Sequence, residues 1–167
     1  FLMSAIASFY ILDTSKLNDL MLNAEIIVKK GLFSKKVTDN YWEYLASNAT
    51  VLESLEGSGY AYGNLLVYLQ EEKNIDLLTN KYDNIAKELL DKRGSSHFIF
   101  TYNQKELFFT QLDPALFSLS EIQKFNQEFS EEGDEETATL TIDAIKLLHD
   151  NLRKVQHENQ VLLLIVG

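Results

Sequence analysis

Gln160–Val166, QVLLLIV, decides how this chain folds. Six consecutive apolar side chains leave no polar face. That is the pattern of a strand covered on both sides, and hence central in its sheet. Near the other end, Ala5–Leu12, AIASFYIL, is also short, rich in β-branched and aromatic residues, and stopped by the polar cap Asp13-Thr14-Ser15. The apolar run Leu2–Leu12 has no basic residue ahead of it and flows into that cap, so it reads as a strand and not as a leader. Two strands at opposite extremes of a chain cannot form separate cores. The economical arrangement is one sheet that sets them side by side, with the middle of the chain packed on it as helices.

Between these strands the apolar period is mostly helical. Leu17, Leu20, Met21, Ala24, Ile27 and Val28 recur at a spacing of three to four, which predicts one helix closed by Gly31. A second helix after Thr38 carries Tyr41, Trp42, Leu45, Leu52 and Leu55, and Gly57-Ser58-Gly59 breaks it. Tyr62, Leu65, Leu66 and Leu69 predict a short third helix, and Ile75 to Leu89 a fourth from about Asn74 to Lys92, ended by Gly94. His97–Tyr102 and Glu106–Leu112 flank Asn103-Gln104-Lys105 and read as a β-hairpin, with Asp113-Pro114 ending its second strand. Ser118-x-x-Glu121 has the spacing of a capping box ahead of a helix with Ile122, Phe125 and Phe129. Glu128–Glu136 holds six acidic residues and no basic one, a solvated loop or fraying helix end, and a long helix follows from about Thr137 to His157. The expected architecture is a single α+β domain over residues 1–167: a small mixed or antiparallel sheet of about four strands, both chain ends included, packed with about six helices.

Composition removes several chemistries. The 167 residues are 46% apolar, enough for a core without staples, and they include no cysteine. That excludes a disulfide framework, a thiolate nucleophile and cysteine-held metals, and is compatible with a reducing cytoplasm. Only three histidines occur, and His149 and His157 are eight residues apart, about 80° out of line on a helix. No H-E-x-x-H, phosphate loop, dinucleotide fingerprint or nucleophile elbow is present. No cofactor and no metal are expected, and the balance leans away from an enzyme.

Fifteen basic against twenty-five acidic residues give a formal charge of −10. Such a surface repels phosphate backbones and anionic headgroups, so neither nucleic acid nor membrane is an expected partner. The strongest basic clusters, Lys29-Lys30 with Lys35-Lys36 and Lys92-Arg93, are short and flanked by acids. An acidic surface favours a basic protein as partner and speeds the encounter with it.

The segment with most recognition character is Glu56–Tyr68, EGSGYAYGNLLVY. Glycines at 57, 59 and 63 let backbone approach a ligand, and Tyr60 and Tyr62 offer flat amphipathic rings. Trp42, Glu56, Gly59, Tyr60 and Tyr62 form the candidate binding surface. The structural alternative makes Trp42 and Tyr62 core aromatics and Tyr60 an ordinary loop residue.

With the element order in hand, SAIASFYILDTSKLNDL resembles the opening of the bacterial YfbM-like domains, a short strand leading into a capped helix. Tyr41-Trp42 to Leu55 is similar to their tryptophan-bearing helix, and the ending ENQVLLLIV to their closing apolar strand. The resemblance covers most of the chain except Glu56–Leu78. It implies a fold, and no activity comes with it.

The leading expectation is a cytoplasmic, non-enzymatic protein-binding module, concretely an immunity-type protein that meets a basic partner, either monomer or homodimer. The alternative is a small-ligand protein or enzyme with a pocket near Trp42, Tyr60 and Tyr62.

Overall fold

The computed structural model describes residues 5–57 and 59–167. Strand β6, Gln160–Val166, pairs antiparallel with β1, Ala7–Asp13, on one side and with β5, Ser96–Thr101, on the other. The short β4, Thr50–Val51, completes the order β4-β1-β6-β5. The fold is therefore α+β, with the strands from the two ends of the chain as immediate neighbours from Ala7↔Val166 to Asp13↔Gln160.

The apolar run of β6 follows from what covers it. Successive side chains of a strand point to opposite faces. Leu162, Leu164 and Val166 join Ala7, Phe9 and Phe100 in one core under helices α3 (Ala61–Lys73), α6 (Leu119–Ser130) and α7 (Glu135–Arg153). Val161, Leu163 and Ile165 join Leu12 and Ile99 in a second core under α1 (Leu17–Asn23), α2 (Tyr41–Asn48) and α4 (Asp83–Arg93). All six apolar residues of the strand are buried.

Several expected elements differ. The first helix stops at Asn23, and Ile27–Lys30 (β2) instead pairs with Lys35–Thr38 (β3) as a separate two-stranded ribbon. The β-branched Ile26-Ile27-Val28 suits a pleated ribbon better than a helix. Gly31 serves the turn, its N–H donating to the Ser34 carbonyl at 2.7 Å, and caps no helix. Leu52 and Leu55 leave α2 and run beside β1, where the Leu52 N–H donates to the Phe9 carbonyl. The fourth helix begins at Asp83; Asn74, left-handed at φ 55°, ends α3, and the Asp76 carboxylate accepts the N–H groups of Leu78 and Thr79 to turn the chain.

The expected hairpin of Glu106–Leu112 does not form. Tyr102–Phe108 is helix α5, followed by a 3₁₀ turn over Phe109–Leu112. Its cause is a second, unrecognised capping box: the Gln104 N–H donates to Thr101 Oγ1, and the Thr101 N–H donates to Gln104 Oε1. Asp113-Pro114 opens another 3₁₀ turn, capped when Asp113 accepts the Ala115 N–H. The recognised box is weaker. Helix α6 begins after Ser118, but the Ser118 hydroxyl pairs with that of Ser120 and caps no N–H. Asp134 starts α7 by accepting the Thr137 N–H, and the helix ends at Arg153, so His157 lies beyond it.

Candidate functional site

Trp42 stands in the first turn of α2, half-exposed at 49%. It is the outer member of a cluster whose inner members are buried. The Arg93 guanidinium, from the last turn of α4, lies over the Tyr41 ring at 4.5 Å and the Trp42 ring at 5.8 Å. It donates two hydrogen bonds of 2.9 Å to the two oxygens of Asp39, a planar fork that holds the carboxyl below its ordinary range. Asp39 in turn accepts the Tyr41 N–H at 3.1 Å and so anchors the start of α2. Further in, the Tyr41 hydroxyl meets His97 Nε2 at 2.6 Å, while His97 Nδ1 lies 2.7 Å from the Ser95 carbonyl.

A carbonyl only accepts, so Nδ1 carries the proton and Nε2 accepts from the tyrosine. Burial pushes the His97 imidazole down to about 4 and the Tyr41 phenol up. Both groups are almost wholly buried, so the pair orients α2 on β5 and meets no substrate. Trp42 and Asp39 are the parts of the cluster that a partner can touch.

Tyr62 is elsewhere. It is fully buried in the other core, edge-on to Phe9 at 5.4 Å, with its hydroxyl donating to the Ala144 carbonyl at 2.9 Å. The sheet stands between Tyr62 and the Trp42 cluster, so these two aromatics share no pocket. Tyr60, at the start of α3, is 59% exposed, and Glu56 is exposed as well. Ser58, within the glycine segment, lies outside the described residues. Thus the structural alternative describes Tyr62 and Tyr60, while Trp42 is not a core residue.

What approaches the backbone at Gly59 is the chain itself. The Gly59 N–H donates to the Ala5 carbonyl at 3.0 Å, and a Cβ there would stand 3.0 Å from Ala7 N and from the Ile6 carbonyl carbon. The glycine keeps the segment before α3 tight against the start of β1. Gly59→Ala is expected to cost about 1–3 kcal/mol, because backbone atoms cannot yield as a flexible side chain can. Urea denaturation checks this, and Gly63→Ala, where a Cβ meets nothing, is the control.

Two cavities open on the surface. One, of about 600 Å³, lies between the Asp76–Tyr82 loop and α5. Its central polar group is already engaged: Gln104 Nε2 donates to the Asp76 and Thr79 carbonyls, and Gln104 Oε1 accepts from Asn80 Nδ2. Sequence reasoning missed Gln104; the signal was Thr101-x-x-Gln104, hidden inside an apparent hairpin. The other, of about 380 Å³, lies between α3 and α6, edged by Glu72, Lys73, Glu121, Lys124 and Glu128. Tyr68 lines it, and its buried hydroxyl has no hydrogen-bond partner among the described residues.

Beside that second cavity is the acidic end of the molecule. Glu128, Glu131, Glu132, Asp134, Glu135 and Glu136 are all exposed. Lys124 reaches Glu128 at 4.0 Å, and among the described residues it is the run's one ion-pair partner. Phe129, 49% exposed, sits among these carboxylates and stacks on Phe125 at 5.3 Å. Among the described residues no group of three or more histidine, aspartate or glutamate side chains converges to hold a metal, and no helix is long and apolar enough to cross a membrane. No protein-family model matches the chain, and comparison with curated proteins and with solved structures gives no match.

Proposed function

We propose that the chain is a protein-binding module of the immunity type that engages a basic partner with its α6–α7 end. The observation that supports this is Phe129, a half-exposed aromatic set among six carboxylates that, among the described residues, one lysine offsets. An apolar anchor inside a charged rim is the usual anatomy of a protein interface. The adjoining cavity of about 380 Å³ has three glutamates at its edge, of which Lys73 holds Glu121 at 3.1 Å and Lys124 reaches Glu128 at 4.0 Å, and it has room for one side chain of that partner. The proposal includes a bacterial, YfbM-like origin, and a cytoplasmic address with which the lack of cysteine is compatible.

The test is co-purification at two salt concentrations with three proteins: the natural chain, Phe129→Ala, and a variant with Glu131, Glu132, Glu135 and Glu136 changed to glutamine. A basic polypeptide is expected to elute with the natural chain. Its affinity is expected to fall about tenfold or more between low and physiological salt, and comparably in each variant. Binding that ignores both salt and these substitutions would sink the proposal.

A further inference from the structure

The ribbon of β2 and β3 is the most unusual surface of the molecule. Every residue from Ile27 to Val37 is exposed, and the two strands pair only with each other. At its tip Leu32 and Phe33 are 93% and 98% exposed, so almost nothing in the chain touches them. Just behind the tip, Lys30 faces Lys35 and Lys29 faces Lys36 across the strands. Like charges directly opposite weaken a ribbon, and among the described residues no acid forms an ion pair with them. The flanking carboxylates are engaged elsewhere, Glu25 with Lys92 and Asp39 with Arg93.

The formal charge of −10 averages over the whole chain, whereas all twenty-five carboxylates lie outside Ile27–Thr38. Because neighbouring residues of a strand face opposite ways, each face of the ribbon carries two lysines. The result is a cationic collar all round an apolar tip. A layer of headgroups surrounds whatever enters it, and a collar fits that.

The dimensions agree. The collar lies about 7 Å behind the tip at the ordinary rise of a strand, and interfacial apolar groups settle about 5–10 Å into the headgroup boundary. Four residues of ribbon reach about 13 Å, beyond the ~8 Å over which physiological salt screens the acidic body. The root of the ribbon extends the same surface: of the fifteen exposed large apolar residues among the described residues, eight fall within Leu22–Trp42. We propose that the β2–β3 ribbon is a lipid-docking finger, with Leu32 and Phe33 entering a membrane surface and Lys29, Lys30, Lys35 and Lys36 holding its anionic phospholipid headgroups. This inference revises the expectation of no membrane partner, which came from the average charge, and it uses a surface separate from the acidic end.

Sedimentation of the full chain with vesicles tests it, using phosphatidylcholine alone and phosphatidylcholine with about 30% phosphatidylserine. The chain is expected to pellet with the anionic vesicles at least about tenfold more strongly. Leu32→Ser with Phe33→Ser is expected to weaken that binding about tenfold or more. Changing the four lysines to glutamine is expected to weaken it about a hundredfold or more, from roughly fivefold per lysine. Both variants are expected to melt with the natural chain, since these side chains are exposed. Failure of the natural chain to bind anionic vesicles at low salt overturns the proposal, as does unchanged binding by either variant. Retention by a short duplex DNA, or self-association, that these substitutions abolish in the absence of vesicle binding overturns it equally.

Discussion

Tyr62→Ala is expected to lower folding stability by about 3–5 kcal/mol, the range for removing a large buried aromatic ring. The ring fills the core between β1 and α7, edge-on to Phe9, and alanine there leaves a void that neighbouring side chains fill only in part. The same change withdraws the hydroxyl that donates to the Ala144 carbonyl. Tyr60→Ala, two residues earlier on an exposed surface, is expected to change stability by less than about 0.5 kcal/mol. Urea denaturation of both variants decides between two roles for this tyrosine pair. Equal, small losses would mean that Tyr62 is not the core residue its burial makes it.

Acidification is expected to destabilise the protein through His97. Its imidazole is held near 4, against about 6.5 in an unfolded chain, so between these values the unfolded state binds the extra proton. Stability therefore rises with pH across this window, is complete above about 6.5, and is lost as the pH falls toward 4. The loss from this group is about 2 kcal/mol by pH 5 and levels off near 3 kcal/mol at lower pH. The molecular reason is that a protonated Nε2 can no longer accept the Tyr41 hydroxyl, and the new charge is buried close to Arg93. His97→Leu removes the titrating group and is expected to flatten the slope between pH 7 and pH 5. The same slope in the variant would place its origin elsewhere. Asp39, whose carboxyl Arg93 holds low, adds a further loss only at more acidic pH.

The candidate surface was only partly legible in the sequence. Trp42 was singled out, and it does reach solvent, as does Tyr60, but Tyr62, grouped with them, is buried on the far side of the sheet. Arg93, which joins Trp42 to Asp39, is 54 residues from that aspartate, too far for local spacing to connect them. The lysines of the ribbon were visible as pairs, yet Ile27 and Val28 also fit a helical stripe with Leu20 and Ala24. Periodicity alone could not show that Lys29 faces Lys36.

Local pattern was sufficient where burial is symmetric. QVLLLIV has no polar side because helices cover both faces of β6, and that requirement is written into seven consecutive residues. It placed the strand at the centre and left the strand near the other end as its natural neighbour, without knowledge of anything between them. Contacts across long stretches of chain settled the rest: which core receives Tyr62, which side presents Trp42, and that Gln104 folds back on Thr101 instead of leading a second strand. An apolar residue states that it avoids water; which neighbours shelter it depends on segments dozens of residues away, which exist as neighbours only once the chain has folded.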